Sequence, residues 1–186
     1  GTGHPSEVGT NEGAGTSVNV AWSGTGYSDR EYLAAFDRLI MPIAREYGPE
    51  LVVVSAGFDA ALGDPLGEMG LTPAGYAHMT AQLSSLAGGK IVVALEGGYN
   101  LKAISRSAAA CLSVLCGDAP PPLPHGPANP QALADIEAAV STLAPYWTCL
   151  RPPQPTMGLE GGQAKRRRLA AIKKKRSHGP WWHRYF

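Results

Sequence analysis

The sequence has few cysteines, few charged residues and no long apolar run. Its 186 residues include three cysteines (Cys111, Cys116 and Cys149) without CxxC spacing, which disfavours a disulfide framework and a cysteine-rich zinc site and favours a reducing compartment. The longest apolar runs are too short to cross a bilayer, and no secretory signal is evident. We therefore expect no membrane association.

Several catalytic motifs are also missing. No HxH, HExxH or Asp-x-His pair occurs, so the chain does not show a complete zinc site by itself. No Walker A, GxGxxG or GxSxG motif is present either. Hydrophobic residues make up 44% of the chain, which is typical of a globular domain and argues against a wholly disordered one.

Charge divides the chain into two parts. Residues 1–150 contain 6 basic and 14 acidic residues, a net charge of −8, whereas residues 151–186 contain 10 basic and 1 acidic residue, a net charge of +9. This asymmetry predicts an acidic globular body over residues 1–150 and a basic, disordered tail over residues 151–186.

The body has the pattern of an α/β domain. Residues 51–55 (LVVVS) and 91–95 (IVVAL) are the uniformly apolar runs of parallel strands buried on both faces, and residues 17–22 (SVNVAW) alternate like a further strand. Helical spacing with N-capping residues follows each of them, beginning near Ser28, Thr72 and Asn100. Glu31, three residues after Ser28, fits a capping box at the first of these helices. This order predicts a parallel sheet flanked by helices.

Two short segments follow the apolar strands at the edge where open α/β sheets bind ligands. Asp59 comes after the first strand, and Gly97, Gly98 and Tyr99 come after the second. Asp59 has the chemistry of a metal ligand, a general base or a simple cap. Tyr99 is either a donor to a developing oxyanion or a packed tyrosine. If the two strands are neighbours, Asp59 and Tyr99 converge on one site, where the glycines allow close approach of a ligand.

The remaining candidates are a turn and the basic tail. Residues 64–67 (DPLG) indicate a β-turn, which also places Leu66 on a pocket rim. The tail contains two compact basic blocks. One interpretation is that they are nuclear import signals or polyanion-binding patches, and the alternative is that they are a solvated charged tail. The blocks comprise Lys165, Arg166, Arg167, Arg168, Lys173, Lys174, Lys175 and Arg176.

Three segments carry a resemblance to a known family: residues 55–67 (SAGFDAALGDPLG), 71–80 (LTPAGYAHMT) and 86–101 (LAGGKIVVALEGGYNL). They resemble the C-terminal half of a zinc-dependent histone deacetylase domain, especially the class IIb type and the second catalytic domain of tubulin deacetylases. Residues 31–59 and 144–150 extend the likeness, which covers residues 1 to about 150. The resemblance implies an arginase-like parallel α/β sheet, present here only as its C-terminal half.

The resemblance also implies a chemistry. Asp59 matches the family's later zinc-binding aspartate, and Tyr99 matches the tyrosine that polarises the amide carbonyl of acetyl-lysine. Leu66 matches the rim position that tunes substrate choice, where leucine suggests a broad acetyl-lysine preference and argues against a polyamine substrate. Zinc is the implied cofactor, and an acetylated histone tail or a tubulin-like protein is the implied substrate.

The family's Asp-x-His ligands and histidine base match no residue of this sequence, and half of the sheet is unmatched. The expected function is therefore zinc-dependent deacetylation by a longer or incomplete chain, with the 186 residues inactive by themselves. The alternatives are a catalytically dead homologue that acts as a scaffold through its basic tail, and an acetylpolyamine enzyme. An import receptor or a polyanion is the tail's candidate partner. No sequence-specific nucleic-acid binding is expected, and the expected location is nucleus, cytoplasm or both.

Overall fold

The computed structural model describes residues 3–123 and 126–152. Within them, helices and strands follow the expected order, with short 3₁₀ turns at Asn11–Gly13, Ala87–Gly89 and Thr148–Leu150. The main elements are α1 (Asp29–Ala35), a π-helical segment (Phe36–Ile40), α2 (Met41–Tyr47), β1 (Val52–Ala56), α3 (Pro73–Ser84), β2 (Ile91–Leu95), α4 (Leu101–Leu115) and α5 (Pro130–Leu143). Among the described residues, no helix is both long and apolar enough to span a lipid bilayer.

The two strands form a parallel pair. Their register runs from Val52 opposite Ile91 to Ala56 opposite Leu95, and α3 provides the connection that parallel strands require. Side chains alternate between the two faces of the pair. One face meets α3 and α4 around a cavity of about 160 Å³. The other face is open, with Val53 66% exposed and Val92 51% exposed. The predicted parallel α/β arrangement is thus confirmed, but one face of the sheet is uncovered by the described residues.

The helical rod of residues 29–47 contains a local irregularity. Pro42 cannot donate a backbone hydrogen bond, and its ring conflicts with the carbonyl one turn earlier. The chain adapts by forming the π-helical segment Phe36–Ile40 immediately before α2. A proline inside a helix is expected to kink it or to end its regular part, and here the structure shows a widened turn just before Pro42. Gly48 then ends α2 in the left-handed conformation.

Two apolar clusters hold the elements together. One joins the π-helical segment and α2 to α5, and its buried members are Leu39, Ile43, Ala139, Leu143 and Leu150. The other lies below the carboxyl ends of the strands, between α3 and α4, and its buried members are Phe58, Ala61, Leu71, Tyr76 and Cys111. The second cluster supports the loops that carry Asp59 and Tyr99.

Some predicted features differ in the structure. Residues 17–22 form no strand, because none of the described segments pairs with them in a hydrogen-bonded ladder. Apolar residues at helical spacing over residues 101–115 predict a buried face for α4, but this face is only partly covered, and Leu101 is 83% exposed. Apolar residues at helical spacing predict a last helix over residues 131–150, whereas α5 ends at Leu143 and is followed by the separate 3₁₀ turn Thr148–Leu150.

Glu31 joins two helix starts and is itself buried. Its Oε2 accepts hydrogen bonds from the backbone N–H of Ser28 at 2.7 Å and from the Ser28 hydroxyl at 3.0 Å, which completes the predicted capping box of α1. Its Oε1 accepts the backbone N–H of Asn129 at 2.8 Å, at the start of α5. One carboxylate therefore connects segments that are far apart in the chain.

Replacing Glu31 by glutamine is expected to lower the free energy of unfolding by about 1–3 kcal/mol, because an amide NH₂ would face an N–H donor in a buried position. Denaturant unfolding of the full chain measures the change. Glu137→Gln is the matched control, since Glu137 is exposed on α5 and makes no side-chain hydrogen bond within the described residues. Equal stability of the two variants would contradict the prediction.

The effect of Glu31→Gln should also depend on pH. Desolvation acts to raise the pKa of Glu31, but the hydrogen bonds from Ser28 and Asn129 together lower it. A carboxyl whose pKa is lower in the folded state stabilises fully above its ordinary pKa, near 4.3, and loses that contribution as pH falls through the lowered folded value. The stability difference between wild type and variant should therefore shrink below about pH 4.3.

Candidate functional site

The candidate site lies at the carboxyl ends of β1 and β2. Beyond the strands, the backbone N–H of Glu96 donates to Ala56 O at 3.0 Å, and the N–H of Phe58 donates to Gly97 O at 2.8 Å. These two bonds extend the pairing into the loops. The sequence condition for convergence, that the two strands are neighbours, is therefore met, and the loop of Asp59 lies beside the loop of Tyr99.

The Asp59 carboxylate is framed by glycines. A Cβ atom at Gly97 would lie 3.1 Å from Asp59 Oδ2, and one at Gly57 would lie 3.4 Å from Oδ1. A Cβ atom at Gly67 would collide with the Asp59 carbonyl oxygen. Asp59 is exposed, and its carboxylate makes no hydrogen bond within the described residues. Its oxygens are thus available to a ligand, and the glycines leave room for that ligand.

The position of Tyr99 is set by a hydrogen bond of its backbone and not by one of its side chain. Its side chain is 60% exposed, and its hydroxyl makes no hydrogen bond to any residue that the structure describes. Its N–H donates to Asp64 Oδ2 at 2.7 Å. The next residue, Asn100, caps α4 by accepting the N–H groups of Lys102 and Ala103, each at 3.1 Å, and donates its own amide to Gly63 O at 2.7 Å. The phenol therefore projects freely from a fixed backbone.

The loop that carries Leu66 is organised by Asp64. Oδ1 of Asp64 accepts the N–H of Leu66 at 2.9 Å and the N–H of Gly67 at 3.0 Å, the turn chemistry that the sequence predicted for residues 64–67. Desolvation acts to raise the pKa of the Asp64 carboxyl, but the backbone N–H groups of Leu66, Tyr99 and Gly67 outweigh it, so that this pKa is lowered. Leu66 itself is 66% exposed, and its position at the rim of the site stays a prediction.

Sequence reasoning missed the wider role of Asp64 and the buried tyrosine Tyr76. The Asp-Pro-Leu-Gly pattern indicates a local turn, and nothing in it indicates the long-range bond to Tyr99. Tyr76 lies below Asp59, lines a cavity of about 460 Å³ with it, and has a buried hydroxyl without a hydrogen bond partner in the described part of the chain. Burial raises the pKa of Tyr76, and the charge of Asp59 adds a smaller contribution.

Metal-ligating side chains are sparse around the site. In residues 3–123 and 126–152, no group of three histidines, cysteines or carboxylates is close enough to hold a metal ion. Asp59 offers one carboxylate of the kind that zinc accepts. The basic residues of the tail, including Lys165 and Arg176, lie outside the described residues, as do all the other members of the two basic blocks.

The histone deacetylase domain is the family whose model matches the chain, over residues 1–115. This chain belongs to the histone deacetylase family. The resemblance seen in the sequence is therefore confirmed at the level of the family. The expected deacetylase-like fold is confirmed as well, because the solved structure of the histone deacetylase Clr3 superposes with a TM-score of 0.79 at 43% identity, covering 92% of this chain and 30% of that one.

Other relatives agree. The structure of the HDA15 HD domain gives a TM-score of 0.74 at 46% identity, covering 81% of this chain and 40% of that chain. "Histone deacetylase clr3" of Schizosaccharomyces pombe is 49% identical over 144 residues, which are 77% of this chain and 21% of that protein. "Polyamine deacetylase HDAC10" of Homo sapiens is 45% identical over 146 residues, 77% of this chain and 22% of that protein. The chain spans about a fifth of the length of these two curated relatives and forms a partial domain.

Proposed function

We propose that residues 1–150 form the C-terminal part of the catalytic domain of a class IIb, zinc-dependent protein lysine deacetylase. The observation that carries this proposal is the placement of Asp59 and Tyr99 at neighbouring strand ends, with the Asp59 carboxylate and the Tyr99 hydroxyl uncommitted within the described residues. Family membership supplies the reaction class, and the two side chains supply the chemical groups.

Asp59 is the proposed zinc ligand. The donor fits the metal, because a carboxylate oxygen is an accepted zinc ligand and this one is free of hydrogen bonds and framed by Gly57 and Gly97. The described residues hold no full ligand set, so the other ligands come from polypeptide beyond them. Zinc bound there supplies Lewis acidity to the acetyl carbonyl.

Tyr99 is the proposed oxyanion donor. Its hydroxyl donates a hydrogen bond to the carbonyl oxygen of acetyl-lysine as negative charge develops there. Gly97 lets the substrate approach closely, since it presents no side chain towards the Asp59 carboxylate, and the neighbouring Gly98 is proposed to line the same approach through its backbone. Leu66 contacts the substrate at the rim, where its apolar side chain suits the methylene stem of lysine.

The site requires further polypeptide to be complete. Val20 and Trp22 line one side of the 460 Å³ cavity, and Ser55 and Gly57 line another. Neither the extended residues 17–22 nor this edge of β1 has a strand partner within the described part. Strands from the remainder of a deacetylase domain would pair with both, which is consistent with the 40% of the HDA15 HD domain that this chain covers.

Acetylated lysine in a protein, such as a histone tail or tubulin, is the proposed substrate class. The name of the polyamine deacetylase relative makes an acetylated polyamine the competing substrate, which the apolar Leu66 at the rim disfavours. Residues 151–186 are proposed to act separately, with their basic blocks binding an import receptor or a polyanion, and a location in the nucleus, the cytoplasm or both.

The decisive experiment compares the 186-residue chain with a polypeptide that carries it within a complete deacetylase domain. Both are assayed with an acetyl-lysine peptide and with an acetylated polyamine, before and after zinc removal and restoration. We expect zinc-dependent hydrolysis of the peptide by the complete polypeptide, and no hydrolysis by the 186 residues.

Each of the other possible results would contradict a specific part of the proposal. A preference for the acetylated polyamine would overturn the substrate assignment. Hydrolysis by the 186-residue chain would contradict the division of the zinc site between two parts of a domain. A well-folded complete polypeptide that hydrolyses neither substrate would overturn the enzymatic proposal and leave a binding or scaffold role for the chain.

A further inference from the structure

Asp64 connects the two loops of the candidate site. One of its oxygens, Oδ1, serves its own loop by accepting the N–H groups of Leu66 and Gly67. The other oxygen, Oδ2, reaches across to the N–H of Tyr99, at 2.7 Å and 35 residues away in sequence. A second hydrogen bond joins the same two loops, because the side-chain amide of Asn100 donates to Gly63 O at 2.7 Å. The loop after β1 (residues 57–72, the rim loop) and the loop after β2 (residues 96–100, the tyrosine loop) are thus joined at two adjacent residues, Gly63 and Asp64.

Tyr99 depends on this connection for its position. It follows Gly98, which has a φ of +125°, a conformation that only glycine adopts readily, and a Cβ atom at Gly98 would lie 2.8 Å from Ile104 Cγ1. No side chain at residue 98 therefore restricts the backbone conformation immediately before Tyr99. The only hydrogen bond that Tyr99 makes within the described residues is the one from its N–H to Asp64.

We propose that Asp64 is a positioning residue that fixes the backbone of Tyr99 relative to the rim loop and so sets where the Tyr99 hydroxyl stands. The carboxylate performs this role because it is an acceptor at both oxygens, so that it serves both loops at once. Hydrogen bonds to an ionised acceptor are stronger than neutral ones, which suits a bond made in a partly exposed loop. The positioning of the Tyr99 backbone by Asp64 is independent of the proposed function, whereas the effect of Asp64 on catalysis rests on it.

Amide hydrogen exchange of the full 186-residue chain tests the anchoring. In Asp64→Ala, the amides of Tyr99, Leu66 and Gly67 should each exchange at least about tenfold faster, because all three lose their acceptor. Two reference amides should not change: that of Phe58, held by Gly97 O, and that of Ala103, held by Asn100. Asp118→Ala is the matched control, an exposed aspartate whose side chain makes no hydrogen bond within the described residues.

The conservative variant Asp64→Asn sharpens the test. Asparagine keeps one acceptor oxygen and turns the other position into a donor, so it can protect the amide of Tyr99 or those of Leu66 and Gly67, but not both loops. Unchanged exchange at Tyr99 in Asp64→Ala would overturn the proposal. Faster exchange of equal size at Phe58 and Ala103 would overturn it too, because it would show a general loss of structure.

The catalytic consequence is measured in the polypeptide that carries the chain within a complete deacetylase domain. Asp64→Ala should lower kcat by about 10- to 100-fold with a smaller change in KM, as expected when a catalytic group is displaced by about an ångström. In the double variant with Tyr99→Phe, kcat should fall no further than in Tyr99→Phe, because Asp64 acts through Tyr99. Additive losses would overturn the assignment, whereas an inactive parent polypeptide would refute the proposed function and leave the exchange result valid.

Discussion

Replacing Tyr99 by phenylalanine is expected to lower kcat for an acetyl-lysine peptide by about 10²- to 10³-fold, measured in a complete deacetylase domain that includes this chain. The change removes a single hydroxyl from a side chain that is largely exposed and makes no side-chain hydrogen bond within the described residues. It should therefore remove the proposed donor to the oxyanion without disturbing the fold. KM should change little, because the hydrogen bond strengthens in the transition state.

Tyr146→Phe is the matched control for this experiment. Tyr146 is similarly exposed and lies just after α5, away from the strand ends that carry the site. Its variant should keep kcat, KM and thermal stability unchanged. If Tyr99→Phe retains wild-type kcat, or if both phenylalanine variants lose activity equally, Tyr99 is not the oxyanion donor.

Replacing Asp59 by alanine should remove zinc from the same polypeptide. Outer-shell partners of a metal ligand are already worth about 10- to 100-fold in metal affinity, and loss of the ligand itself should cost at least that much. Metal analysis after dialysis against a weak chelator gives the zinc content directly, independently of turnover. We expect zinc below the stoichiometric amount in Asp59→Ala and one zinc per site in the parent.

Asp118→Ala serves again as the control carboxylate and should retain zinc. The two variants should unfold at similar temperatures once zinc has been removed from both, since the Asp59 side chain makes no hydrogen bond within the described residues. A variant lacking Asp59 that holds one zinc with unchanged affinity would show that the metal is bound elsewhere.

Local sequence signals predicted much of the fold. The two apolar runs became adjacent parallel strands, displaced by one residue at β1 and unchanged at β2. Ser28, Thr72 and Asn100 cap helices as expected, because capping depends on side chains within a few residues of the helix start. Asp59 and Tyr99 were singled out as candidates because each follows a recognisable strand, and the structure places their loops side by side, while their chemical roles stay predictions.

Features that depend on distant partners were not predictable. The hydrogen bond from the Tyr99 N–H to Asp64 forms only when both loops leave neighbouring strands at matching positions along the sheet. No short sequence pattern specifies that alignment. Glu31 was expected in a capping box, but its bond to Asn129 spans 98 residues. Residues 17–22 alternate between apolar and polar side chains, as a strand does. A strand also needs a second segment to pair with, and the described chain supplies none for these residues.

The open face of the strand pair bears on how the chain behaves in solution. Apart from Ser55, residues 52–56 and 91–95 are all apolar; the two strands contain no charge or proline and have unpaired outer edges in the described part of the chain. Segments of this composition recruit further strands from other molecules and seed cross-β aggregates. Production of the chain by itself should therefore lower its soluble yield, and co-expression with a segment that pairs with these edges should raise it.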